Sequence, residues 1–424
     1  MRVSNKEMAR SSVILLILNI TASALNYACQ LFLARVLSVE SFGTINTIFS
    51  YMMIIAVPGT TLTMVVSRYY AEGSAVLGER FYLKKQVQTV LILSLIVMTI
   101  QFCASYFLSK LLRINDIYVL TMTIVLAAFG FFQPLYSGVF SGKKAFVLVG
   151  VYSLFIPIYK LLSVFVAGVS SMNDKYRLYI VLFVMIIGVA ITAVFGQLRS
   201  NKILNKEEKN ASKKARETCL YSASDIHTLF LNISLMFYMN IDLLTVRYYE
   251  NERESGLYSS VLLFGRIIYY FATTLGTILL PSVADRSINN SERKRTLNKA
   301  LLLMLIISVL CLAPINILKN ILIKLLYGIP YLEAAKYLVY VSIISVALSL
   351  YTLMINYVVG VGKTKLPTIV MAIVDVLLII CFLLMDNTSH ILSAIGIIGI
   401  IGAIVIYVGE NVFCKTELDN RDNN

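Results

Sequence analysis

The amino-acid sequence predicts an all-α polytopic membrane protein, with about twelve transmembrane helices forming two pseudo-symmetric six-helix bundles around a central cavity. Three observations carry this: a composition that only lipid can solvate, twelve apolar stretches of spanning length, and an internal repeat. Hydrophobic residues make up 58% of the 424 residues and charged residues 14%, against roughly 25% charged in soluble domains. A soluble fold of this length has no way to bury so much apolar surface. Soluble enzymes, disordered chains and disulfide-stapled secreted modules are thereby excluded. The six cysteines are scattered without CxxC spacing and read as small packing residues. The first apolar run begins at Val13 and continues as a full span, so it reads as a helix rather than a cleavable signal.

About 20 apolar residues are needed to cross a bilayer. Such stretches fall at 12–34, 43–67, 87–109, 117–140, 146–169, 178–198, 218–246, 256–284, 297–318, 333–359, 366–385 and 390–410. Pro58, Pro134, Pro157 and Pro314 lie inside spans and mark expected kinks. The net charge of +14 reflects topology, not nucleic acid. With the N-terminus inside, 24 of the 37 Lys and Arg fall in cytoplasmic segments, nine in outer loops and four within the stretches, Lys299 and Lys336 near their ends and Lys160 and Arg266 near the middle. Both termini are therefore expected in the cytoplasm. The chain divides into a first bundle (1–198), a basic cytoplasmic linker (199–217), a second bundle (218–413) and a polar cytoplasmic tail (414–424). The linker reads RSNKILNKEEKNASKKARE, a solvated charge run.

The second half echoes the first. At an offset of 213, Gly43, Thr60, Thr61, Leu62 and Ala71 fall on Gly256, Thr273, Thr274, Leu275 and Ala284. Gly142-Lys143 after the fourth span matches Gly362-Lys363 after the tenth, at an offset of 220. Six spans per half give both halves the same topology, related by an axis along the membrane normal, with a site expected between them.

A charge at the bilayer centre costs about 2.5–3.5 kcal/mol, so each one needs a reason. Lys160 and Arg266 lie near the middle of the fifth and eighth spans. An anionic ligand would supply their partner, Arg by bidentate geometry and Lys as a point charge; a structural ion pair, for instance with Asp375, is the alternative. Asp225 and His227 open the seventh span, Asp242 lies near its other end, and Asp375 is central in the eleventh. Asp225, Asp242 and Asp375 are candidate sites for H⁺ or Na⁺ coupling, although Asp225 and His227 could equally meet interfacial water. Three helical stripes add polar groups: Asn19, Ser23, Asn26 and Gln30; Arg266, Tyr270, Thr273 and Thr277; Ser345, Ser349, Thr352 and Asn356. Each fits a wet cavity or interhelical hydrogen bonding. From these stripes Asn26, Gln30, Tyr270 and Asn356 join Lys160 and Arg266 as candidate substrate contacts.

No catalytic residue and no metal ligand set is expected. VGVGKTK (359–365) has Tyr357 where the first P-loop glycine would stand, and it follows a span rather than a strand. HExxH and GxSxG are missing from the sequence. The outer loops are short, which argues against a sugar polymerase or ligase.

At this point the chain resembles the Wzx-type O-antigen or polysaccharide flippases, a branch of the multidrug/oligosaccharidyl-lipid/polysaccharide exporter superfamily. The residues that carry it are NYACQLFLARVLSVESFGTINTIFSY (26–51), TTLTMVVSRYYAE (60–72) and SGKKAF (141–146), with their echoes RESGLYSSV (253–261), TTLGTILLPSVADR (273–286) and GVGKTK (360–365). The resemblance implies a non-enzymatic transporter of the bacterial inner membrane that works by alternating access. It implies an undecaprenyl-diphosphate-linked oligosaccharide as substrate, moved from the cytoplasmic to the periplasmic leaflet. Ion-gradient coupling by H⁺ or Na⁺, no cofactor, and contact with other polysaccharide-assembly membrane proteins go with it. Two alternatives in the same superfamily stay open: a cation-coupled multidrug exporter and a lipid-linked peptidoglycan precursor flippase.

Overall fold

The computed structural model describes residues 5–71, 78–204, 223–284 and 289–422. Among them all regular structure is helical, and it falls into two compact units, Met1–Leu220 and Tyr221–Asn424. The first unit contains α1 (Asn5–Val36), α2 (Val39–Ile55), α3 (Val57–Ala71), α4 (Glu79–Cys103), α5 (Ser105–Leu112), α6 (Ile117–Phe129), α7 (Phe132–Gly142), α8 (Phe146–Ser153), α9 (Phe155–Val169) and α10 (Asp174–Ile203). The second contains α11 (Ala223–Tyr249), α12 (Glu252–Ala284), α13 (Asn290–Ile317), α14 (Lys319–Leu326), a 3₁₀ segment (Ile329–Tyr337), α15 (Leu338–Val361), α16 (Lys365–Leu384) and α17 (Thr388–Asp422). Eleven stretches are long and apolar enough to cross a membrane, and the pair α2–α3, bent by 44°, makes twelve. The chain is a multi-pass membrane protein.

Proline explains where several spans break. It has no N–H for the carbonyl four residues back, and its ring crowds that carbonyl. Pro58, Pro134 and Pro157 each follow a break within four residues, at Ala56, Gly130–Phe131 and Leu154. Pro314 behaves differently: it stays inside α13, which ends three residues later at Ile317 and is capped by Leu318. Residues 205–217 of the basic linker lie outside the described residues, while α10 carries its first five.

Small residues let the central helices of each bundle touch backbone to backbone. In the first bundle α3 packs on α7. A Cβ on Gly138 would stand 2.8 Å from the Thr63 carbonyl oxygen, and one on Gly142 only 2.4 Å from that of Ser67. In the second bundle α12 packs on α15, and a Cβ on Gly360 would stand 2.8 Å from the Leu280 carbonyl oxygen. Ser67 and Leu280 are equivalent under the 213 offset, so each half sets a glycine against the same carbonyl. Gly142 is thus matched by Gly360. Gly362, two residues on, has φ 82° and closes α15 in the left-handed conformation that glycine tolerates.

Polar groups tie the helix ends. Asp174, at the start of α10, accepts from the Ser38 amide (2.8 Å), the Ser38 hydroxyl (2.7 Å) and the Ser41 hydroxyl (2.5 Å). Arg177, one turn later, donates to the carbonyls of Val36 (3.1 Å) and Ser170 (3.2 Å), the C-terminal ends of α1 and α9. A cation there also complements the two helix dipoles. Asp116, which caps α6, is paired with Lys175 at 2.8 Å and accepts from Tyr179. Partial desolvation would raise the Asp116 carboxyl, but bonds from Lys175, Tyr179 and the Tyr118 amide outweigh it and hold it below the usual carboxylate range.

Candidate functional site

Each bundle carries its own polar centre inside the membrane-crossing region. In the first, Lys160 is half-buried on α9, six residues past the Leu154 break. Its ammonium lies 4.1 Å above the Phe49 ring of α2, a cation–π contact. The buried Cys29 of α1 is its electrostatic neighbour. The cation thus sits where α1, α2 and α9 meet. Along α1, Ser23 and Asn26 donate back to the carbonyls of Asn19 and Ala22, and Asn19 accepts from Ser153 of α8. Such back-bonding leaves the amide oxygen of Asn26 for other partners. Gln30, one turn beyond, is half-buried.

The second bundle is chemically richer. Asp242 of α11 is buried and accepts from the Tyr258 hydroxyl of α12 at 2.8 Å and from the Leu243 amide at 2.7 Å. Arg266 acts on it electrostatically and lies eight residues beyond Tyr258, about 12 Å along α12. Asp375 of α16 accepts from the Ser234 hydroxyl at 2.5 Å, while its second oxygen is buried with no hydrogen-bond partner. Two tyrosines join the acids. The Tyr238 ring meets that of Tyr351 edge-on at 5.4 Å, and its hydroxyl donates to the Ile395 carbonyl. Tyr351 is the electrostatic neighbour of Asp375, and Tyr238 that of Asp242. A buried seam of acids and phenols therefore runs through α16, α15, α11 and α12.

Sequence reasoning singled out Asp242 and Asp375 but missed the groups that connect them. Ser234, Tyr238 and Asp242 are spaced i, i+4, i+8 on α11, a pattern that marks one helix face. Arg247 was missed too: it is fully buried, bonded to Glu252 at 3.0 Å and to Ser255 at 3.3 Å. Of the remaining candidates, Arg266 is half-buried and Tyr270, one turn on, is exposed. Thr273 donates to the Tyr270 carbonyl. Asn356 donates to the Thr352 carbonyl, and its amide packs where a Cβ on Gly276 would come within 2.6 Å. Ser345 similarly faces Gly265, so the α15 stripe lies along the α12–α15 contact. The side chains of Asp225 and Thr277 lie outside the described residues. Among the described residues no three His, Cys, Asp or Glu gather to hold a metal ion. An alkali cation asks for oxygen ligands instead, which Asp375, Ser234 and Tyr351 offer.

Two units of six spans, each with a charged centre, give the chain a fold that it shares with solved membrane transporters. Among solved structures the chain is similar to the lipid II flippase MurJ in an inward closed conformation. That match has a TM-score of 0.71 and 17% identity, covering 94% of this chain and 87% of that one. It is also similar to an inward-facing multidrug resistance MATE family transporter of the MOP superfamily, at TM-score 0.68, 13% identity and coverage of 95% and 98%. A third is a MOP superfamily transporter from Pyrococcus furiosus Vc1, noted for the reverse polarity of its binding pocket, at TM-score 0.61, 13% identity and coverage of 96% and 95%. No protein-family model and no curated protein sequence matches.

Proposed function

We propose that the protein is a flippase for an undecaprenyl-diphosphate-linked oligosaccharide, such as an O-antigen or related polysaccharide repeat unit. It works by alternating access in the bacterial inner membrane, with both termini in the cytoplasm, and moves the lipid from the cytoplasmic to the periplasmic leaflet. The observation that carries this reading is a cation within the membrane-crossing part of each bundle, Lys160 and Arg266, on a fold shared with a lipid II flippase. Hydrocarbon repels a diphosphate and its sugars while accepting the polyprenyl tail. A protein that flips such a lipid needs cations at membrane depth, with apolar surface beside them. Asn26, Gln30, Tyr270 and Asn356 add hydrogen-bonding groups for the head.

The acids of the second bundle suit ion coupling. Asp375 has an unpartnered oxygen beside two hydroxyls, and Asp242 balances Arg266. Loss or gain of a cation at either changes the field that an anionic head would meet. The same acids favour a second reading, a cation-coupled multidrug exporter. The deciding experiment is transbilayer movement of a labelled undecaprenyl-diphosphate oligosaccharide in proteoliposomes, against empty vesicles, with imposed pH and Na⁺ gradients. Movement above background that responds to one gradient is expected. Failure across a panel of glycans, with movement of organic cations by the same folded protein, would establish the exporter instead.

A further inference from the structure

One side of the first bundle carries an unexplained groove, of about 370 Å³, between α1 and α9. Phe32 and Val36 on α1 face Leu161, Val164, Phe165 and Gly168 on α9, and the lining is apolar throughout. Position 168 contributes no side chain to the space between the helices, and a Cβ there would stand 3.2 Å from Val36 Cγ2. Its axis runs with the helices for about 12 Å. At one end Arg177 bonds the last carbonyl of α1 and the first beyond α9, tying the two helix ends together. At the other end, one turn below Val164 and Phe32, lie Lys160 and its neighbour Cys29.

A cation followed along the same helix by a hydrocarbon-shaped groove matches an amphiphile with an anionic head and a long chain. We infer that this groove holds the first isoprene units of the lipid-linked substrate while its diphosphate meets Lys160, an assignment that rests on the flippase reading above. Depth separates this occupant from a resident phospholipid. Lys160 lies well inside the span Phe146–Val169, whereas a phospholipid keeps its phosphate at the membrane surface. Only a lipid whose head enters the protein brings phosphate and chain to this place together.

The test uses a polyprenyl diphosphate carrying a benzophenone on its second isoprene unit, photolysed with the full chain in nanodiscs of phosphatidylethanolamine and phosphatidylglycerol. Label is expected on the peptides holding Phe32–Val36 and Leu161–Gly168, competed by unlabelled polyprenyl diphosphate but not by added phosphatidylglycerol. Gly168→Leu fills the groove and should cut that label roughly tenfold, about 1.4 kcal/mol of affinity. Should Gly168→Leu fail to fold, Phe165→Ala with Phe32→Ala, both on lipid-exposed side chains, should cut it as well. Label elsewhere, label indifferent to these changes, or equal competition by phosphatidylglycerol overturns the assignment. The two readings fail separately. Normal flipping by Gly168→Leu removes the groove and keeps the flippase; groove label in a protein that flips no glycan keeps the groove and removes the flippase.

Discussion

The two bundles share a scaffold and differ in chemistry. Both pack central helices through glycine, and both set a glycine on the equivalent carbonyl, Ser67 in one and Leu280 in the other. Yet the first bundle keeps most of its described ionic groups at helix ends, in the Asp174–serine clamp, the Asp116–Lys175 pair and the Lys143–Glu79 pair. Inside it holds Lys160 against an aromatic ring and a thiol. The second bundle places Asp242, Asp375 and Arg266 along its spans, with Tyr258 bonded to Asp242 and Tyr351 beside Asp375. Backbone contacts constrain both halves alike, because a glycine pressed on a carbonyl admits no substitute. Charge is constrained only by what the half must hold. On the proposed reading the first bundle grips an anionic lipid, and the second also exchanges a cation.

The largest effect should come from the membrane-depth cations. Lys160→Ala and Arg266→Ala should each slow flipping in proteoliposomes by about 30-fold, the loss of roughly 2 kcal/mol for a charge–charge contact, with unchanged protein amount. Full activity in both variants would break the assignment of anion binding to either bundle. Asp242→Asn and Asp375→Asn sharpen the contrast. Both should retain gradient-free flipping and lose its acceleration by the imposed gradient; an unchanged gradient response would remove coupling from the second bundle.

Stability separates the halves too. Glu252→Gln strips the carboxylate from the fully buried Arg247 and should cost about 2–3 kcal/mol, less than a wholly buried pair because Glu252 is half exposed. Lys175→Met, at the exposed pair of the first bundle, should lower the detergent-solubilised Tm far less. Glycine substitutions probe the shared scaffold. Gly142→Ala drives a Cβ into a backbone carbonyl and should cost about 1–3 kcal/mol. Gly276→Ala meets only the end of the Asn356 amide, which can turn away, and should cost less. Equal losses in Tm would show that the two interfaces are equally rigid.

The smallest effect is acid dependence at Asp116. Its carboxyl is held below the ordinary range in the fold, so it contributes stability above the unfolded value of about 3.9. That contribution is lost as pH falls through the depressed value. Asp116→Asn should flatten the loss of stability below about pH 4, measured by Tm across an acid series; an unaltered slope would show that Lys175 and Tyr179 add nothing there.

Much of this protein was legible in its sequence because lipid imposes strict rules. Every spanning backbone must satisfy its own hydrogen bonds, so each apolar run of sufficient length becomes a helix. The twelve stretches, the kinks upstream of Pro58, Pro134 and Pro157, and the repeat at Gly43–Ala71 followed from length, residue type and register. The charges Lys160, Arg266, Asp242 and Asp375 stood out because a buried charge is rare in such a chain. Their partners did not, because a partner is a matter of which helices meet. Tyr258 lies 16 residues from Asp242, Ser234 lies 141 from Asp375, and Phe49 sits on a different helix from Lys160. Only packing decided that Gly360 rather than Gly362 answers Gly142, that the Ser345–Asn356 stripe meets α12, and that Gly168 lines a groove above a lysine. The rules of the bilayer act on each segment alone, whereas these contacts depend on the side chains that two segments bring to one place.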